Sequence, residues 1–159
     1  MYYLKYRPAT IDEIDNEAIR ASIQNLFQAD TIPHALMLTG QKGTGKTSIA
    51  RIIARHVNEL AADESIAQSS DIVEMDAASN RGIDEVKSLI REASFLPMSG
   101  KYRVFIIDEC HMITNDAFNA LLKTLEEPPE TTLFILATTN IEKVPKTIVS
   151  RCSIIQFAR

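Results

Sequence analysis

Apolar positions recur along this chain with two periods, and the two alternate. Between Asp12 and Phe27, Ile14, Ala18, Ile19, Ile23 and Phe27 fall near helical spacing, which predicts a first helix. Pro33 precedes His34–Thr39, HALMLT, an apolar run of strand length. Ile49, Ile53, Val57 and Leu60 then repeat at intervals of three and four and predict a second helix. Ala61–Ser70 is small and polar without a period and reads as a loop; Asp71–Asp76, DIVEMD, reads as the second strand. Ile83, Val86, Leu89, Ile90 and Ala93 mark a third helix, and Arg103–Ile107, RVFII, a strand that ends in Asp108-Glu109. Phe118, Leu121, Leu122 and Leu125 predict a fourth helix, which Pro128-Pro129 stop. Thr132–Ala137 and Ser153–Phe157 complete five strands. Strands apolar on both faces, alternating with helices, imply a parallel sheet covered on two sides. The expected fold class is α/β, a three-layer sandwich around a five-stranded parallel sheet.

Glycine is scarce and unevenly placed. The chain holds five (Gly40, Gly43, Gly45, Gly82, Gly100), and the first three lie within one loop. That loop, Gly40-Gln41-Lys42-Gly43-Thr44-Gly45-Lys46-Thr47, satisfies G-x-x-x-x-G-K-[ST] at every position and lies between a predicted strand and a predicted helix. Such a loop turns successive backbone N–H groups inward around phosphates, and the helix start behind it adds its dipole. Gly40 to Ser48 are the candidate phosphate-binding residues. Lys46 is expected to reach the β- and γ-phosphates, and the Thr47 hydroxyl to ligate Mg²⁺.

The loop requires an acidic partner at the end of a neighbouring strand. Asp108 and Glu109 supply it: Asp108 to hold the Mg²⁺ shell, Glu109 to polarise an attacking water as general base. Asp108-Glu109-Cys110-His111 also spells a DExH box, with Thr138-Thr139 placed where a third helicase motif would fall. A fragment of a superfamily 2 helicase is therefore one alternative reading.

Composition narrows the setting. Hydrophobic residues make up 45%, as in soluble globular domains. No stretch approaches the roughly 18 apolar residues of a membrane helix, and the start MYYLKYRPAT lacks the apolar run of a secretory signal. Cys110 and Cys152 are the two cysteines and, with three histidines, give neither a disulfide framework nor metal-ligand spacing. A cytoplasmic protein without a membrane partner is expected. The formal net charge is −4, with 7 basic and 11 acidic residues in 1–80 and 10 of each in 81–159. Nucleic-acid binding through bulk charge is thereby excluded; any DNA contact has to be a local patch.

Five segments in order, KYRPAT (5–10), HALMLTGQKGTGKTSIARI (34–52), DIVEMDAASNRGIDEVKSLI (71–90), IIDECHMITNDAFNALLKTLEEPP (106–129) and FILATTNIEKVPKTIVSRC (134–152), resemble the gamma/tau subunits of bacterial DNA polymerase III. These are AAA+ P-loop NTPases, the ATPase motors of the sliding-clamp loader. The resemblance implies ATP and Mg²⁺ as cofactors. It also implies partnership with other clamp-loader subunits in a hetero-pentamer, with the DNA sliding clamp, and with primer-template DNA through phosphate contacts. It matches Thr139 to the sensor-1 position and Arg151 to the arginine finger that enters a neighbour's ATP site in trans. Tyr6, Arg7 and Pro8 match the segment over the adenine, and Asn80-Arg81-Gly82-Ile83 a segment facing DNA phosphates. Relatives commonly carry a four-cysteine zinc module before the DIVEMD-like strand; 58–70 contains no cysteine here, so no zinc is expected. The lid and collar that follow in the family are absent from 1–159. Those residues are therefore read as the nucleotide-binding core alone, with 1–10 on the adenine side, and as a weak or inactive ATPase by themselves. A non-hydrolysing structural clamp-loader subunit is the second alternative reading.

Overall fold

The period-two alternation of the central strands decides which helix packs where. In a computed structural model, which describes residues 14, 16–28, 33–58, 71–80 and 82–157, β1 (Ala35–Thr39), β2 (Ile72–Asp76), β3 (Arg103–Asp108), β4 (Thr132–Thr138) and β5 (Ser153–Gln156) form one sheet. Its order is β2-β3-β4-β1-β5, and every pairing is parallel. Leu36, Leu38, Val104, Ile106, Leu133 and Ile135 face one side, against α1 (Glu17–Gln28) and α2 (Lys46–Val57). Their alternates Met37, Phe105, Ile107, Phe134 and Leu136 face the other, against α3 (Ile83–Ala93), α4 (Asn115–Glu126) and the short α5 (Lys146–Val149). Phe105 and Phe134 stack across β3 and β4 at 5.6 Å between centroids, and burying each contributes about 1.5–3 kcal/mol. The expected three layers and five parallel strands are present among the described residues.

Local chemistry sets the boundaries, and here the structure departs from periodicity. The first helix begins after Asn16, not at Asp12, because the Asn16 side chain accepts the Ile19 N–H at 3.1 Å and so caps the helix. Ile14 is buried ahead of the helix, and its carbonyl accepts Arg20 Nη1 at 2.8 Å. α2 ends at Val57; Leu60, expected within it, lies outside the described residues. α5 was not legible at all: at four residues it is shorter than one apolar period.

The second strand begins at Ile72, because Asp71 has other work. Its fully buried carboxylate accepts the N–H groups of Met98 (2.6 Å), Ser99 (2.9 Å) and Gly100 (2.6 Å), together with the Ser99 hydroxyl at 3.2 Å. Asn58 braces the same loop, accepting Tyr102 N–H at 2.8 Å and donating to Tyr102 carbonyl at 3.0 Å. A Cβ at Gly100 would lie 2.6 Å from Asn58 Cγ, so the close approach requires glycine there. The amino ends of β2 and β3 are thus tied together by side chains.

At the opposite end the chain is arranged to leave space. β4 separates β1 from β3, so the glycine loop after β1 and the acidic pair after β3 stand on either side of the residues following β4. Sites in parallel sheets form at this carboxyl edge.

Candidate functional site

The loop from Gly40 to Thr47 owes its path to glycine. Gly43 has φ 82° and Gly45, capping α2, has φ 90°, values that cost an ordinary residue about 1–2 kcal/mol. Gly40 is needed for space: a Cβ there would lie 2.7 Å from both Cβ and O of Phe157. The chain is stitched at that point, with Gly40 N–H donating to Thr138 carbonyl at 3.3 Å and Phe157 N–H to Thr39 carbonyl at 2.7 Å.

Lys46 folds back along the loop, its Nζ donating to the carbonyls of Gly40 (2.7 Å) and Gln41 (2.8 Å). Burial pulls its pKa below the usual lysine value, while the negative charges of Glu109 and Asp108 pull it the other way. Thr44 Oγ1 donates to Gln41 carbonyl at 2.7 Å and closes the turn. Thr47 Oγ1 donates to Asp108 Oδ2 at 3.3 Å, so the hydroxyl and carboxylate drawn from distant sequence positions meet. Asp108 Oδ1 accepts the Glu109 N–H at 2.9 Å.

Glu109 is in an unusual conformation. Its φ of 52° and ψ of 45° make it the one non-glycine residue with positive φ among the described residues. Strain of this kind is held in place by surrounding structure and concentrates at functional positions. The turn sends its carboxylate toward the end of β4, where Thr139 Oγ1 donates to Oε2 at 3.3 Å. His111 approaches the same oxygen, with Nε2 at 3.6 Å.

A cavity of about 540 Å³ collects these groups. Lys42, Gly43, Gly45, Lys46, Thr47 and Ser48 line it from the loop, with Asp108, Glu109 and Thr139 from the strand ends. Gln41 and Gly40 border an adjoining cavity of about 300 Å³ that shares Thr139. Arg151 lines neither. It follows α5, is exposed, and lies 3.5 Å from Glu126 Oε1 on α4. Tyr6, Arg7, Pro8 and Arg81 lie outside the described residues, as does 59–70, most of the cysteine-free stretch on which the expectation of no zinc rested. Among the described residues no group of three or more His, Cys, Asp or Glu could hold a metal, and no helix is long and apolar enough to cross a membrane.

Sequence reasoning missed two participants. His111 entered it only as the last letter of a DExH string, and Thr138 only as the neighbour of Thr139. Their contact joins residues 27 positions apart, His111 Nδ1 to Thr138 Oγ1 at 2.9 Å, and no local pattern encodes it.

A parallel sheet of this order, with a glycine loop between its first strand and α2 and carboxylates across β4, defines an α/β P-loop domain of the AAA+ type. Solved structures share the fold. A gamma-subunit-related DNA polymerase III protein of Thermotoga maritima superposes with a TM-score of 0.73 at 23% identity, covering 90% of this chain and 46% of that one. The T. maritima Holliday junction branch migration motor RuvB gives 0.71 at 20% identity, over 96% and 48%. The family model for DNA polymerase III, delta subunit matches residues 15–159, and the chain belongs to that family. Its similar curated relatives are gamma and tau subunits. DNA polymerase III subunit tau of Bacillus subtilis is 44% identical over 99% of this chain and 30% of its own length. Subunit gamma of Buchnera aphidicola subsp. Schizaphis graminum is 41% identical over 93% and 45%. The chain spans less than half the length of either. The resemblance read from the five segments is thereby shown, and the family places the chain among DNA polymerase III subunits rather than DExH helicases.

Proposed function

We propose that this chain is the ATP-binding and hydrolysing core of a clamp-loader motor subunit acting in DNA replication. The observation that carries the reading is the meeting of a complete phosphate loop with the Thr47–Asp108 contact and the Glu109–Thr139 contact around one cavity. Backbone N–H groups of Gly43 to Thr47 would hold phosphate oxygens, and Lys46 would exchange its loop carbonyls for the β- and γ-phosphates. The Thr47 hydroxyl and Asp108 carboxylate are hard oxygen donors of the kind Mg²⁺ takes alongside waters and substrate phosphates. The ion, when bound, would neutralise charge developing on the transferred phosphoryl group. Glu109 would take the proton of the attacking water, while Thr139 fixes the carboxylate and faces the γ-phosphate side.

Arg151 points to work in trans. Paired only loosely with Glu126 and away from the cavity of its own chain, it is available to a neighbouring subunit's site. Other loader subunits, the sliding clamp and primer-template DNA are the partners this reading requires, with the cytoplasm as its compartment.

The test is ATP binding and DNA-stimulated hydrolysis by the full-length protein in its complex. Lys46→Ala should abolish binding of labelled ATP. Glu109→Gln should still bind ATP but turn over about 10²–10⁴-fold more slowly, the usual size of a general-base contribution. Normal hydrolysis by Glu109→Gln would rule out the assignment of the base.

A further inference from the structure

Glu109 needs more than one restraint. A carboxylate on a left-handed residue, gripped by a single hydroxyl at 3.3 Å, retains freedom to swing out of line with an attacking water. The second group within reach is His111, nine-tenths buried and 3.6 Å from the same oxygen. Its tautomer follows from hydrogen-bond accounting at Thr138. The Thr138 hydroxyl is fully buried, with one proton to give and two lone pairs to offer. One lone pair accepts the Asn140 N–H at 2.9 Å. The only other partner of that hydroxyl among the described residues is His111 Nδ1 at 2.9 Å. A buried hydroxyl proton needs an acceptor, so Thr138 donates to Nδ1. With Nδ1 as the acceptor, Nε2 is the ring nitrogen that carries the hydrogen facing Glu109.

We propose that His111 is a positioning residue for the reaction: its Nε2 stands 3.6 Å from the same Glu109 oxygen that Thr139 contacts, beyond hydrogen-bond distance but close enough to limit the swing of the carboxylate, and Thr138 fixes the ring that does so. The inference rests on Glu109 being the base. β4 then controls the base twice over, directly through Thr139 and indirectly through Thr138 and His111. Any shift of the β4 end moves both restraints together, so the residues that would sense the γ-phosphate also aim the base.

The experiment measures kcat, KM and ATP affinity for the full-length chain in the assembled complex. His111→Ala should lower kcat about 10-fold, a fraction of the full base contribution, with KM and ATP affinity unchanged. His111→Gln, whose amide can donate from nearly the same place, should restore part of the loss. Thr138→Val removes the donor at constant shape and should also lower kcat, and Thr138→Ser should recover most of that loss. Because the two residues act in series, the double variant His111→Ala/Thr138→Val should be no slower than His111→Ala alone. Unchanged kcat in His111→Ala, additive losses in the double variant, or a fall in ATP affinity matching the fall in kcat would each overturn the relay. Should His111→Ala fail to assemble, Thr138→Val against Thr138→Ser reads the same chain of contacts without touching the histidine. Glu109→Gln measured alongside separates the two ideas: a slow Glu109→Gln beside an unaffected His111→Ala sinks the relay alone. A normal Glu109→Gln sinks the base and the relay together.

Discussion

Asp71 and the Asp108–Glu109 pair are carboxylates at opposite ends of adjacent strands, and they are treated in opposite ways. Asp71 receives three backbone N–H groups and a hydroxyl. Burial would raise its pKa, but the donors from Met98, Gly100 and Ser99 outweigh it and hold the carboxyl below the usual aspartate value. Asp108 and Glu109 face a cavity and accept hydroxyl bonds at 3.3 Å from Thr47 and Thr139, with a single backbone N–H, that of Glu109, on Asp108. A saturated carboxylate ties loops together; one with lone pairs to spare is available to a metal or a water. Two arginines differ in burial in a similar way. Arg103 is buried with its guanidinium 5.5 Å from the Phe105 ring centroid, whereas Arg151 is exposed beside Glu126.

The contrast is open to attack at several points, and the largest effect belongs to Arg151. In a full assembly Arg151→Ala should cost a neighbouring site about 10³–10⁵ in rate, the scale of an arginine finger, and spare the site of its own chain. Mixed assemblies with Arg151→Ala beside Lys46→Ala subunits in defined order would measure it; death of the mutant's own site would mean that the arginine acts in cis.

Next comes Asp71→Asn, which removes acceptor capacity where donors converge. It should destabilise the fold by about 1–3 kcal/mol, the cost of leaving buried donors unsatisfied, and leave ATP affinity alone. A urea titration with and without nucleotide reads both. The parent should also lose stability in acid. A carboxyl held below its ordinary pKa contributes fully above that ordinary value, and the contribution disappears as pH falls through the lowered folded value. Asp71→Asn should flatten this part of the acid profile.

The smallest effect on stability is that of Glu109→Gly, expected to stabilise by about 1 kcal/mol through relief of the left-handed backbone while abolishing the base. A higher melting temperature with lost turnover would sharpen the contrast. A destabilised variant would show that the surroundings, not the residue, set that turn.

What was readable in advance follows the same division. The phosphate loop and the acidic pair were legible because their chemistry is written in consecutive residues. The central strands β1, β3 and β4 were legible because burial on both faces leaves apolar runs. The Asp71 tie was not, since three of its four donors are backbone groups 27 to 29 positions away and carry no residue signature. DIVEMD read as one strand because Asp71 looks like its first residue until its partners are seen. Neither was the role of His111 legible, which depends on a hydroxyl proton with one place to go. The Asn16 cap lay hidden because Ile14, an apolar residue buried outside the helix, happens to continue the helical period.

The contact between Gly40 and Phe157 has a bearing on how this protein can be cut and joined. The residue after β5 rests on the glycine that opens the phosphate loop and donates its N–H to Thr39 one position earlier. The seam is therefore a hinge pin shared by two parts of the molecule, the loop and whatever chain is attached behind Phe157. A truncation that stops short of position 157 pulls the pin and loosens the loop from a distance. A fusion joined beyond it inherits a rigid mount, and a load applied to the appended part is felt at the first glycine of the loop.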